Sequence, residues 1–225
     1  ELGDIFLIYA KTEDGGISSF VVEKGFPGFS LGMKITNKLG MRCSPTASLV
    51  FQDCEVPEEN LLGKEGESLI HMMRNLEIER ITLAAMSLGI ALRCLQIMFS
   101  YAKERQAFGQ PINRFGQIQR YLANSYSQFA ASRAYVYNTA RWIDLDKAGN
   151  RIDADGVKLV ASTMAKEVAD NAIQVLGGNG YVGEYVVERL WRDAKLLEIG
   201  GGTLEAHQKN ITKDISKHLD YLLNL

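Results

Sequence analysis

After Pro57 the chain contains a single further proline, Pro111. A long proline-poor stretch can sustain helices of many turns, because proline removes a backbone donor and clashes with the preceding turn. The residues before Pro57 read differently. Ile5 to Tyr9, Ile17 to Val22 and Ala47 to Gln52 are short runs rich in β-branched and aromatic residues, the composition of strands. Glu13-Asp14-Gly15-Gly16 between the first two is a hairpin turn, where glycine takes positive φ at no steric cost. Gly25 to Ser44, with Pro27 and four glycines, reads as loop with at most one irregular strand. The shift places a boundary near Gly63 to Gly66, giving a β part over 1–64 and a helical part over 65–225.

In the second part the apolar period is helical. A first helix is expected from about Glu67 to Glu104 and a second from Phe115 to about Ala148, with Ile118, Leu122, Phe129, Val136 and Ile143 as its stripe. A third is expected from Ala154 to Leu176 on Val157, Val160, Met164, Val168, Ala172 and Val175. A shorter helix follows Gly183, and a last one starts near Thr203 with Ile211, Ile215, Leu219 and Leu222 inward. Long helices joined by modest loops imply a mainly α fold: a partial antiparallel β-domain followed by an up-and-down bundle. The 225 residues, with 46% hydrophobic and 23% charged, describe a folded soluble chain rather than a disordered or membrane-spanning one. With 25 Lys and Arg against 27 Asp and Glu and no basic cluster, nucleic acid is a poor partner. Cys43, Cys54 and Cys94 form no CxxC, which disfavours a disulfide framework and a zinc ribbon and suits a reducing compartment.

Four features carry chemistry. Met72, Leu76, Leu83, Met86 and Ile90 step by three and four along the first helix, and Glu79 fills the missing place. A carboxylate in a buried stripe has either a raised pKa suited to a general base or a designated cation such as Arg80, and both readings stay open. Gly177-Gly178-Asn179-Gly180 follows Gln174, Val175 and Leu176; it reads first as a Schellman-type helix stop, and second as a phosphate cradle. Gly200-Gly201-Gly202-Thr203 leads into the last helix, with Thr203 as N-cap, and is either an anion-binding entry or a hinge. Arg105, at the exit of the first helix, is a bidentate diphosphate fork or an ordinary C-terminal helix cation. His71, His207 and His218 show no metal spacing and read as solvated surface.

Taken in order, Arg105-Gln-Ala-Phe-Gly109, Gln174-Val-Leu-Gly-Gly-Asn-Gly-Tyr181, Arg192-Asp-Ala-Lys195 and Glu198-Ile-Gly-Gly-Gly-Thr203 resemble the acyl-CoA dehydrogenases. Gly28-Phe-Ser, Lys38-Leu-Gly-Met-Arg42 and Phe51-Gln-Asp-Cys-Glu-Val-Pro57 are similar to that family's middle β-domain. The resemblance implies a four-helix C-terminal bundle and FAD-dependent α,β-dehydrogenation of an acyl-CoA thioester. Most members carry the catalytic glutamate at the position of Gly201; the isovaleryl-CoA and long-chain branches place it in a motif similar to Leu76-Glu-Ile-Glu-Arg-Ile81, which makes Glu79 the base. Ile199-Gly200-Gly201 is most similar to the isovaleryl-CoA branch.

By the same resemblance, Glu77, Ile78, Arg80, Gly201 and Gly202 flank the substrate, with the Gly201 N–H on the thioester carbonyl. Arg105 meets the FAD diphosphate, Gln174, Val175, Leu176, Gly177 and Gly178 meet FAD across a subunit interface, and Thr203, Leu204 and Glu205 lie beside the ADP portion. Electron-transferring flavoprotein as acceptor, a homotetramer and the mitochondrial matrix are implied too. Gly116 and Leu204 depart from the family pattern, which leaves a longer straight-chain substrate or a non-catalytic homologue as alternatives. The family's usual length exceeds 225 residues, so this chain alone is expected to bind FAD weakly and not to turn over.

Overall fold

The structure is a computed structural model, describing residues 2–13, 15–143 and 151–223; of Tyr221 it describes the backbone alone. The chain divides into two compact units, Glu1–Asn75 and Leu76–Leu225. The division falls within the first long helix, α1 (Ser68–Glu104).

In the first unit β1 (Ile5–Lys11) and β2 (Ile17–Glu23) pair antiparallel from Ile5 opposite Glu23 to Lys11 opposite Ile17. Asp14 of the expected turn lies outside the described residues, and the flanking Thr12 and Gly15 close the loop through the Gly15 N–H on the Thr12 carbonyl, 2.9 Å. The short β5 (Leu61–Leu62) adds to the other edge of β2. The irregular strand expected in the glycine-rich loop is β3 (Phe29–Lys34), paired with β4 (Ala47–Phe51) through a register shift between Leu31 and Lys34. Phe6, Phe29 and Phe51 stack at 4.9 and 5.1 Å between ring centres. Gly28, at φ +80°, admits no other residue, since a β-carbon there would lie 2.9 Å from the Cys54 backbone and closer still to the Gln52 carbonyl.

The second unit is the helical part: α1 from Leu76, a two-residue hairpin of β6 (Gln106–Ala107) and β7 (Gln110–Pro111), then α2 (Gly116–Trp142) and α3 (Arg151–Leu176). A single turn α4 (Gly178–Tyr181) precedes α5 (Val187–Leu197), α6 (Leu204–Lys217) and the short α7 (Asp220–Leu223). α3 is central, packing on α2, α5 and α6. Alanines at 161, 165, 169 and 172 are buried, as are Ser125, Ser132 and Thr139 of α2; small side chains let these helix axes approach closely. The stripe expected on α2 is the buried one, from Leu122 through Phe129 to Val136; the expected end near Ala148 lies outside the described residues. On α3 all the expected core positions are buried except Val160, 44% exposed.

Two expectations are corrected here. Leu219 and Leu222 do not face inward but are 64% and 50% exposed, because the helix stops at His218 and α7 starts afresh. The core line of α1 is Ile81, Ala84, Leu88, Ala91, Leu95, Met98 and Ala102, and not the line through Glu79. Residues two apart on a helix differ by about 200°, so Ile81 and Glu79 face opposite ways. By length and composition α1 is apolar enough to cross a membrane, yet half of its most apolar window is buried inside the protein.

Candidate functional site

Three polar places stand out in the second unit. The first is where α1 meets the loop before α6. Glu79 is exposed and therefore not the buried carboxylate that its apolar neighbours imply; the line it interrupts is itself half open, with Met86 47% exposed. The structure does bring Glu79 to Gly201. A β-carbon at Gly201 would lie 3.6 Å from Glu79 Oε1 and would collide with Leu83 Cδ1. Gly201 also holds φ +68°, a conformation that disfavours any side chain. The loop is thus shaped around a missing side chain, and a carboxylate from another element occupies the adjacent space. Glu77 and Arg80, its neighbours, are buried, while Ile78 is half-buried.

The second place was not legible as a site. Asp155, Lys158 and His207 are each 0% exposed, so His207 is not the solvated surface residue expected from its lack of metal spacing. Asp155 Oδ1 faces His207 Nδ1 at 2.5 Å and Arg80 Nη1 at 3.1 Å. His207 Nε2 lies 3.0 Å from the Gly202 carbonyl oxygen, which also accepts from Lys158 Nζ at 3.1 Å. Arg151 Nε is 3.9 Å from Asp155 Oδ2 and 3.0 Å from Asp214. Burial pushes the Lys158 ammonium down to about 8, with Arg80 adding to the effect and Glu198, Glu79 and Asp155 opposing it. The sequence did carry a signal: Arg151, Asp155, Lys158 and Ser162 step by four, three and four, a polar stripe along one face of α3.

That depressed ammonium has a measurable consequence. Below pH 8 both folded and unfolded chains hold the Lys158 proton; between pH 8 and 10.5 the folded chain sheds it while the unfolded one keeps it. The unfolded state then binds more protons, so stability gains a favourable contribution as pH rises through this window. Urea midpoints of the protein and of Lys158→Met, taken at pH 7.5 and 9.5, should show this contribution in the former only.

The third place is an open groove of about 420 Å³ whose lining includes Arg105, Phe108, Phe115 and the run from Gln174 to Gly178. Five residues expected to act together are therefore adjacent to Arg105. Arg105 stands where α1 ends, and Phe108 and Gly109 turn the β6–β7 hairpin with φ +51° and +79°, leaving the Phe108 ring 95% exposed. The Asn179 amide donates to the Tyr101 hydroxyl at 2.9 Å, pinning the glycine turn to α1. Gly177 ends α3 as expected, with its N–H on the Ile173 carbonyl at 2.9 Å, but ψ is −132° and the turn is not the left-handed helical one of a Schellman stop. The lining offers a guanidinium, an amide, bare glycine backbone and the three aromatic rings of Tyr101, Phe108 and Phe115, which fits a diphosphate joined to a flat heteroaromatic group. Thr203, Leu204 and Glu205 do not line it. Thr203 caps α6 as expected, its hydroxyl accepting from the Ala206 N–H at 3.3 Å. Hydrogen bonds from its own backbone N–H and from Thr203 hold the exposed Glu205 carboxyl below the ordinary range.

Residues 69–216 match the family model "Acyl-CoA dehydrogenase, C-terminal domain". The chain is 46% identical over 215 residues to the mitochondrial isovaleryl-CoA dehydrogenase of Oryza sativa subsp. japonica, covering 94% of this chain and 52% of that protein. It superposes on butyryl-CoA dehydrogenase from Megasphaera elsdenii with a TM-score of 0.90 at 40% identity, over 95% of this chain and 56% of that one. A Bacillus anthracis acyl-CoA dehydrogenase complexed with FAD gives 0.90 at 31% identity, over 97% and 40%. The chain spans about half the length of the curated relatives it matches.

Proposed function

We propose, from the premise that the chain belongs to the acyl-CoA dehydrogenase family, that the protein dehydrogenates a short branched acyl-CoA between its α and β carbons, with Glu79 as base. The observation that carries the reading is the adjacency of the Glu79 carboxylate to the side-chain-free Gly201, 3.6 Å from where a β-carbon would stand. These are the two positions at which the resemblance allows a catalytic carboxylate, and here one is empty and the other filled.

An α-C–H beside a thioester is a weak acid, so its removal needs a base in contact and a hydrogen-bond donor on the carbonyl oxygen where negative charge develops. Glu79 takes the α-proton onto its carboxylate. The Gly201 N–H is the donor to the thioester carbonyl, and Glu77, Ile78, Arg80 and Gly202 surround the acyl group. FAD, when bound, supplies the acceptor for the hydride that leaves the β-carbon. Arg105 would hold the cofactor's diphosphate and the Gln174–Gly178 turn would meet FAD across a subunit interface, while Thr203, Leu204 and Glu205, which lie outside the Arg105 groove, would stand beside the ADP portion. The reading also takes electron-transferring flavoprotein as acceptor, a homotetramer as assembly and the mitochondrial matrix as location, supported by the likeness to a mitochondrial relative.

The test is an anaerobic titration of the complete, flavin-loaded protein. Isovaleryl-CoA should bleach the visible flavin spectrum faster than butyryl-CoA or a long straight-chain acyl-CoA. Faster bleaching by a long straight chain would reassign the substrate, and a colourless protein would identify a non-catalytic homologue.

A further inference from the structure

The buried cluster around Asp155 joins the two halves of the site just described. On one side, Asp155 Oδ1 pairs with Arg80 Nη1 at 3.1 Å, and Arg80 is the residue next to Glu79 on α1. On the other, the same oxygen faces His207 Nδ1 at 2.5 Å, and the far ring nitrogen faces the carbonyl of Gly202, the residue next to Gly201. The two ring nitrogens of His207 bridge the Asp155 carboxyl to the loop backbone. Lys158 Nζ donates to that same Gly202 carbonyl. One carbonyl thus receives two donors from buried side chains on different helices, α3 and α6. A β-carbon on Gly202 would lie 3.0 Å from the His207 ring, so the loop backbone rests directly on the imidazole.

Buried charges cost several kcal/mol to desolvate unless paired, and replacing such clusters by apolar packing often stabilises a protein. A fully buried Asp, Lys and His set against a loop of three glycines is a poor device for stability. Asp155 Oδ2 even lacks a hydrogen-bond partner among the described residues. The glycine loop, in contrast, has no side chains of its own with which to hold a position. We infer that Asp155, His207 and Lys158 are positioning residues that fix the Gly201–Gly202 backbone relative to Glu79. The inference rests on the reading of Glu79 as base and of Gly201 as carbonyl donor. Through Arg80 the clasp orients the turn of α1 that carries the base; through His207 and Lys158 it orients the peptide that carries the donor. The charged groups facing His207 are Asp155 directly, Arg80 and Arg151 through that carboxylate, and Lys158 through the shared carbonyl.

A displacement of about 1 Å at a reacting centre costs about 10²-fold in rate. In the complete flavin-loaded protein, Asp155→Asn should therefore lower kcat per bound flavin by about 10- to 100-fold while KM changes by less than about threefold. An α-deuterated substrate should show a larger isotope effect in the variant, because proton removal becomes slower relative to the other steps. A purely structural cluster would instead reduce the yield of flavin-loaded protein and leave kcat per flavin and the isotope effect unchanged. Lys158→Met, which removes one of the two donors to Gly202 and leaves the Arg80–Asp155–His207 line, should give the same pattern in smaller degree. Unchanged kcat per flavin in either soluble variant overturns the inference, as does failure of both to fold, which would assign the cluster to stability. Glu79→Gln run in parallel separates the two readings: if it keeps its activity, the base assignment fails, whatever Asp155→Asn does.

Discussion

Replacing Glu79 by Gln should slow flavin bleaching by acyl-CoA by about 10²- to 10⁴-fold, the range expected for removing a general base, while flavin content and thermal stability stay unchanged. Gln matches Glu in size and removes the negative charge and, with it, the ability to take a proton. The exposure of Glu79 makes this a clean experiment. No core packing changes, and substitutions at such surface positions usually change stability by less than about 0.5 kcal/mol; the buried Lys158 loses one of three carboxylates that favour its charge. Had the carboxylate been buried in the core line, loss of activity and loss of fold would have been confounded. A bleaching rate within tenfold of the unsubstituted protein would sink the assignment of Glu79 and shift attention to the neighbouring buried Glu77. Binding of the acyl-CoA should persist in the Gln variant, because the CoA contacts and the Gly201 N–H do not depend on the side-chain proton.

How far the sequence was legible follows from what each signal measures. Helical periodicity reads the presence of a face, and on α2 it named the buried residues correctly. On α1 it selected the wrong one of two interleaved lines. Ala84, Ala91 and Ala102 are buried yet small, so they carry little hydrophobic weight, whereas Met72, Met86 and Ile90 are large and only half-buried. Hydrophobicity tracks side-chain size; close helix packing rewards small residues, and the two criteria diverged there. Motif order, in contrast, located the groove of Arg105 and Gln174 to Gly178, since backbone geometry at glycines and a helix end is local. The clasp around Asp155 shows in the sequence only as the polar stripe of α3, with nothing to name its partners. It draws one residue from α1, two from α3 and one from α6, and contacts between Arg80, Asp155 and His207 have no local signature in the chain. His207 was misjudged for the same reason: spacing to metal ligands says nothing about a carboxylate 52 residues upstream.

Gly201→Glu should be the more damaging change of the two, although it restores a carboxylate to the place where most of the family carries one. Three effects add. At φ +68° a β-carbon costs about 1–2 kcal/mol relative to glycine. Its collision with Leu83 Cδ1 forces repacking, which costs about 1–3 kcal/mol. The new carboxylate also meets that of Glu79, whose Oε1 is only 3.6 Å from the added β-carbon, and two carboxylates sharing one site do not both ionise readily. A net loss of about 2–5 kcal/mol corresponds to a fall in Tm of about 4–20 °C for a unit of this size. Turnover should drop by about 100-fold or more, because the loop whose N–H is proposed to face the thioester carbonyl must move to admit the side chain. Combining it with Leu83→Ala tests the cause. Removing the Leu83 branch relieves the collision but not the like charge, so it should return part of the stability and little of the activity. Adding Glu79→Gln then removes the charge conflict as well, leaving the carboxylate at 201 as the base. Activity regained only in that triple variant would show that one carboxylate, and not two, is what the space between α1 and the loop accommodates.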